Sequence, residues 1–385
     1  MCSDSGLERD TGNAGKLVAW KNLRETPGRG FNAGKSFTLL PRSIAMRLLL
    51  PFAILFAALS SSHAVVTVID NNTAGYSTTG SWSSQGIPGR YNGNWQYQNA
   101  AAGSDTATWD FTGLASGKYI LAASTFTQGN ISTSATYTTT DGGGTHTRNQ
   151  QAATNHFDID TGTNSGVTFA RISGFNGYTP ISVTDGALST TLSDNVPSLF
   201  LVADAVRLES VRADVEKIFV IGNGDAGYSE TNGGWNTWAG DVGDHGADFR
   251  FSNGGIGDLI TVSFTGIDPG AYRISTAWTA GGNRTQSATL AYSTPGSSGS
   301  VTFDQRPGSA ADDSFEEVNW EDMFSTVNVT GNSLTLTLRN NNAGPAELLI
   351  ADAFRLEKIT AVPEPSVGIL GGIAALSLLR RRRAR

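Results

Sequence analysis

Aromatic rings and amide side chains cluster in two stretches of the chain. Trp82, Tyr91, Trp95 and Tyr97 stand among Asn92, Asn94, Gln96 and Gln98. Trp235, Trp238 and Phe249 stand near Asn236, Asp241, Asp244 and Arg250. Rings stack on the C–H face of a sugar, and amides, carboxylates and guanidinium groups hydrogen-bond its hydroxyls, so this mixture suits a polysaccharide-binding surface. The candidate ligand residues are therefore Trp82, Tyr91, Trp95, Tyr97, Trp235, Trp238 and Arg250. The competing use of a large ring in a small domain is core. Trp82, Trp235 and Trp278 hold repeat-shared or strand positions, which favours core for them. Trp95 and Trp238 lie in Gly/Asn-rich surroundings, and for them ligand contact and core both stay open.

Other chemistry finds less material. Asp225, Asp241, Asp244 and Asp248 could offer hard oxygen ligands to a structural calcium ion, but without a recognised loop spacing, and no cofactor is expected. The acidic run Asp312, Asp313, Glu316, Glu317, Glu321 and Asp322 reads as a solvated loop; a carboxylate pair for glycoside cleavage is the alternative. His146, His156 and His245 have no metal-ligand spacing, and the only cysteine is Cys2. No Gly-x-Ser-x-Gly elbow occurs. The reading is non-catalytic.

The elements that carry these residues alternate with period two. Ala107–Phe111, Leu259–Phe264 and Leu334–Leu338 place an apolar side chain at every second position, the mark of strands with one buried face. Clusters of Asn, Gly, Ser and Asp separate the runs. With 46 glycines and only 16% charged residues, the composition favours strands and turns over helices.

The pattern is written twice. Ile69–Ser77 recurs as Ile221–Ser229, each ending Ala-Gly-Tyr-Ser; Phe111–Tyr119 recurs as Phe264–Tyr272, each with Gly-x-Tyr. Val202–Glu209 and Ile350–Glu357 share Ala-Asp-Ala-x-Arg-Leu-Glu. Such a long period means tandem domains rather than a solenoid. The expected architecture is all-β: two tandem β-sandwich, jelly-roll-like domains over 65–210 and 217–360, joined by a short charged link. In the closing motif Asp204 and Arg207, like Asp352 and Arg355, are three apart and face opposite ways on a strand, so they are not expected to pair with each other. The two aspartates are expected to accept backbone N–H bonds or to meet an arginine elsewhere in the fold.

These shared motifs, with Gly-Gly-Asn-Arg284 and Asp304-Gln305, resemble golvesin C-terminal-like domains, also described as xanthan-lyase carbohydrate-binding-like domains. The resemblance covers both copies and is closer in the second, because Ile131 and Asn149-Gln150 stand in the first where the pattern has Arg and Asp-Gln. It implies a β-sandwich accessory module on secreted proteins, without implying catalysis.

The ends read as targeting segments. Met46-Arg47, the apolar run Leu48–Leu59 and Ser62-His63-Ala64 form a signal peptide over 46–64, cleaved after Ala64; residues 1–45 then read as sequence upstream of a true start at Met46, with a genuine long leader as the alternative. At the other end Pro363-Glu364-Pro365 precedes an apolar run and Arg380, Arg381, Arg382 and Arg383. The prolines stop an incoming strand, and the arginines hold the end of an apolar helix on the cytoplasmic side. Residues 362–385 resemble a PEP-CTERM sorting signal. The resemblance implies an exosortase-type processing enzyme as partner beside the secretion machinery, membrane contact through the C-terminal helix, and delivery to the cell surface or extracellular matrix. Of 27 basic and 34 acidic residues, the two ends hold 13 and 5, which leaves the body 14 and 29. So acidic a body repels phosphate backbones, and no nucleic-acid partner is expected.

Overall fold

The computed structural model describes residues 64–360, apart from 100–104, 126–127, 152–155, 159–166, 173–177, 194–198, 232–233, 240–243, 247, 254–256, 308–311 and 342–346. The residues before Ala64, the tail with Pro363, Glu364, Pro365 and Arg380 to Arg383, and Asp241 lie outside the described residues. What is described is all-β, with no α-helix and one 3-10 turn, Tyr91–Gly93.

Each half of this region forms two five- or six-stranded sheets and one three-stranded sheet, and no sheet is shared between the halves. In the first half Val66–Ile69, Val206–Val211, Gly117–Thr125, Thr168–Arg171 and His156–Asp158 run side by side, with Ile181–Val183 also paired to Gly117–Thr125. The facing sheet is Tyr76–Thr79, Thr106–Thr112, Ala187–Ser193, Ala135–Thr139 and Gly144–Arg148. The second half repeats this order with Val215–Gly222, Ala353–Ile359, Gly270–Ala277, Val318–Val329 and Asp313–Phe315 against Tyr228–Thr231, Leu259–Thr265, Ser333–Asn340, Ala288–Thr294 and Ser297–Phe303.

The period-two positions fill the space between facing sheets. Ala107, Trp109 and Phe111 pack with Leu121, Tyr137, Leu188, Leu192 and Leu208 in one core. Ile260, Val262 and Phe264 pack with Ile274, Leu290, Leu334, Leu336, Leu338 and Leu356 in the other. Burying each such side chain stabilises the fold by about 1.5–3 kcal/mol. The repeated Ala-Gly-Tyr-Ser has a backbone reason. Gly75 and Gly227 have φ of 93° and 102°, and a Cβ on either would lie 2.7 Å from a carbonyl oxygen of Asp110 or Ser263. The Gly-x-Tyr motif closes a corner: Tyr119 and Tyr272 donate their hydroxyls to the carbonyls of Ala115 and Asp268, four residues back.

The halves meet through outer faces that a sequence reading would leave in water. Val211 ends one strand and Val215 begins the next, so the second half's sheets begin two residues before the expected boundary at 217. Tyr178 and Ile218 exchange backbone hydrogen bonds of 2.7 and 2.9 Å across the join. Ile120 and Tyr178 of the first half pack with Val215, Ile218, Phe315, Val318 and Trp320 of the second.

The acidic run lies here, which corrects its reading as a solvated loop. Asp313–Phe315 and Val318–Val329 form a hairpin whose tip is Glu316-Glu317. Glu316 is 1% exposed, paired with Arg171 and within 3.7 Å of His245. Its backbone N–H donates to Glu209 at 3.0 Å. Arg207 bonds Glu317 at 2.5 Å and Glu209 at 3.2 Å. Arg355 pairs with Asp313 at 3.0 Å, and Arg212 with Asp322 at 2.7 Å. Arg171 pulls the Glu316 carboxyl down to about 2, against the upward push of burial. Asp313, Glu316, Glu317 and Asp322 are therefore held in ion pairs.

Candidate ligand-binding site

The small three-stranded sheets carry the candidate rings. In the second half Trp235–Ala239 is an edge strand on Asp248–Ser252, with Trp235 opposite Ser252, Thr237 opposite Arg250 and Trp238 opposite Phe249. In the first half Ser83–Gly86 pairs with Asn94–Asn99, with Ser83 opposite Tyr97 and Gln85 opposite Trp95. The two registers superpose, so the counterpart of Trp95 is the core residue Phe249, and the counterpart of Trp238 is Gln85.

This equivalence separates the two tryptophans that the sequence left open. Trp95 is 4% exposed and packs with Ile131 and Val202, which corrects its reading as a ligand contact. An inward position on the middle strand of a sheet leaves the indole no solvent-facing side. Trp238 is 54% exposed, one of three large apolar side chains so exposed among the described residues. On its face of the sheet lie Asn236, exposed, and Phe249, with the Arg284 guanidinium 5.4 Å from the Phe249 ring centre. Asn283 and Arg284 lie beside a second polar loop, since the Gly281 N–H donates to the Arg306 carbonyl. An exposed indole on an edge strand, with an exposed amide two residues away on the same face, can stack on a pyranose while the amide bonds its hydroxyls.

The remaining candidates have structural duties. Trp82 and Trp235 are half-buried against their cores and donate their indole N–H groups to the carbonyls of Thr79 and Thr231. Tyr91 packs edge-on against Phe169, and Tyr97 packs between Trp95 and Phe200. Arg250 grips Glu230 with two bonds, 2.5 and 2.8 Å, on the face opposite Trp238, so in this structure its guanidinium meets a carboxylate.

The repeated polar motifs are structural as well. Gln150 and Gln305 each bond both N–H and C=O of one strand residue, Val202 and Ile350. Asp204 accepts the Tyr91 N–H at 3.3 Å and Asp352 the His245 N–H at 3.1 Å, equivalent bonds in the two halves. Burial pushes the Asp204 carboxyl up to about 7. Asp225 accepts the Gly222 N–H and Asp248 bonds Asn223. Among the described residues no group of three or more His, Cys, Asp or Glu is placed to hold a metal ion, so the calcium expectation gains no site from Asp225, Asp244 and Asp248.

A feature the motifs did not announce is a narrow cleft in the first half. Arg148, Tyr137, Ser124 and Asn149 line it above Ile131, Ala170, Ile172 and Val202. The available signal was a mismatch between copies, Arg148 where the second has Phe303.

Residues 67–174 match the Golvesin C-terminal domain family. This is the first half, the copy whose motifs depart further from the pattern, and the golvesin-like match stops short of its closing strands. No curated protein matches the chain. Among solved structures the chain is similar to a Paenibacillus xanthan lyase at 19% identity and TM-score 0.32, over 74% of this chain and 25% of that one. It is similar to the plant receptor-like kinase FER at 10% identity and TM-score 0.37, over 78% and 97%. It is also similar to an isomalto-dextranase of Arthrobacter globiformis T6 complexed with panose, at 12% identity and TM-score 0.27, over 68% and 36%. The chain thus spans about a quarter of the length of the xanthan lyase.

Proposed function

We propose that this chain is an exported, non-catalytic surface or extracellular-matrix protein that binds polysaccharide through the Trp238 face. The observation that carries the reading is a tryptophan more than half exposed on an edge strand, with exposed Asn236 on the same face of that strand, in a chain whose residues 67–174 match the Golvesin C-terminal domain. The signal peptide and the PEP-CTERM-like tail supply the route: secretion, membrane contact through the tail, then exosortase-type processing. One stacked ring gives weak binding, and a polymer that presents many sites compensates by avidity.

Binding of the full chain to insoluble polysaccharides, including the producer's own matrix, tests this. Trp238→Ala is expected to lower the bound fraction at least tenfold without shifting the melting temperature, since the ring stands outside both cores. Unchanged binding by Trp238→Ala would sink the proposal. A second reading, a matrix spacer, is favoured by the ion-paired join between the halves; it predicts that no polysaccharide is retained while the chain still binds matrix proteins or itself.

A further inference from the structure

Both ends of the described body leave the fold at one place, the link between the halves. The Val65 N–H donates to the Ser210 hydroxyl at 2.7 Å, and the Ser210 N–H to the Val65 carbonyl at 2.9 Å. Thr360 is tied to the other side of the link, its N–H donating to the Asp214 carbonyl at 2.8 Å. The chain turns between these anchors, since the Val215 N–H donates to the Arg212 carbonyl. From Ser210 to Asp214 the chain reaches at most about 14 Å, and one strand spacing on each side adds about 5 Å, so Val65 and Thr360 lie within about 25 Å of each other.

The three-stranded sheets lie at the opposite pole. Phe200–Ala203 precedes Val206–Val211, and Leu349–Ala351 precedes Ala353–Ile359, so each closing strand runs from its small sheet toward the exit of the chain. A strand as long as Ala353–Ile359 spans about 23 Å. The halves stand side by side: Arg171 of the first comes within 3.3 Å of His245, whose N–H bonds Asp352 just before that last strand. Trp238 and its first-half counterpart Gln85 are therefore on the pole away from both chain ends.

On the reading of residues 46–64 and 362–385 as membrane-entering segments, we propose that the exit pole is a membrane-facing surface, set against lipid headgroups, and that the Trp238 pole points outward while the tail is attached. Residues 361–366 separate Thr360 from the apolar run at Val367, a reach of at most about 22 Å. So short a tether holds the exit pole beside the bilayer, and the ligand face stands a strand length beyond it. The charges at the exit pole suit this position. Lys118, Lys217 and Lys358, all the lysines of residues 65–360, stand there with Arg273. Lys217 faces Lys358 across the strands, and both reach Asp268, at 3.8 and 4.0 Å. Lys358 also reaches Glu216 at 3.9 Å, and Arg273 pairs with Asp214 at 2.5 Å. With Asp185 in the turn after Ile181–Val183, these cations and acids cancel. In a body of 14 basic and 29 acidic residues, such a pole is a surface that an anionic leaflet does not push away.

Two measurements on the full chain, in a Cys2→Ser background, test the proposal. Spin labels on the double variant Val65→Cys, Thr360→Cys are expected to lie within about 35 Å of each other, label arms included. A longer separation would overturn the common pole. For the second, a bimane label is placed at the exit pole by Ala115→Cys or Asp268→Cys, and at the far pole by Gln85→Cys or Asn236→Cys, all exposed positions. Each protein is floated with vesicles of phosphatidylcholine and phosphatidylglycerol that carry nitroxide headgroups. Labels at the exit pole are expected to be quenched several-fold more strongly than those at the far pole. Equal quenching, or stronger quenching at the far pole, would overturn the orientation and leave the membrane contact standing. A chain that does not float with the vesicles would remove the membrane reading, and this surface with it.

Discussion

Asp204 shows how a repeated polar residue can be wholly architectural. It is 4% exposed, accepts the Tyr91 N–H, and has its carboxyl raised by burial to about 7 against an ordinary 3.8. A carboxyl whose pKa is higher folded than unfolded holds its proton longer in the folded state. Its contribution is complete below about pH 3.8 and is lost as pH rises to about 7. Stability is therefore expected to fall by roughly 4 kcal/mol across that window from this group, and Asp204→Asn to remove most of the slope. Urea midpoints of both proteins at pH 5 and pH 7.5 check this; parallel pH profiles would refute it. The residue-scale reading of the sequence did well with this aspartate, since the three-residue spacing to Arg207 already excluded their pairing. It did less well with Trp95, whose neighbours Asn94 and Gln96 are polar because they take other positions on the same strand. Only the strand register shows that its counterpart is Phe249, a core residue, and not Trp238.

The hairpin Asp313–Val329 is the element whose character was least legible. A row of acids beside Asn319 reads as a water-facing turn, yet Glu316 and Glu317 are buried or half-buried under arginines of the other half. Both have left-handed backbones, φ 58° and 66°, as a tight two-residue hairpin turn requires. Side chains other than Gly and Asn resist that conformation by about 1–2 kcal/mol each. The turn keeps Glu-Glu because the carboxylates meet Arg171 and Arg207. Glu316→Gln is expected to destabilise the protein by about 3–5 kcal/mol, because it leaves the Arg171 charge buried and uncompensated. Replacing Glu316-Glu317 with Asn-Gly relieves the turn but is still expected to destabilise. Denaturant unfolding decides; a more stable Asn-Gly variant would mean that the ion pairs add nothing net. The strands themselves were legible wherever a single period-two pattern ran, as in Thr106–Thr112 and Ser333–Asn340.

For the whole molecule, two sandwiches written in tandem suggest independent units, but the buried cluster around Ile218 and Trp320 and the ion pairs over it tie the halves together. Sequence patterning cannot foresee this. Arg207 and Glu209, or Arg355 and Glu357, alternate with core residues and so read as facing water, while Glu317, which pairs with Arg207, lies 110 residues on. Calorimetry of the full chain is expected to show residues 64–360 unfolding in a single transition, and Glu316→Gln to split it in two. Two transitions in the wild type would show that the join is weaker than the cores.

The join also bears on ancestry. Arg171 sits opposite Ala122, and the matching place in the other copy, opposite Ser275, holds Asp322. A cation on one side and an anion on the other make the repeats complementary rather than interchangeable, like the two halves of a snap fastener. A duplication that once yielded twins has become a pair with a handedness. Recombination that reverses their order, or adds a third copy after the second, would present an aspartate where the incoming hairpin needs an arginine.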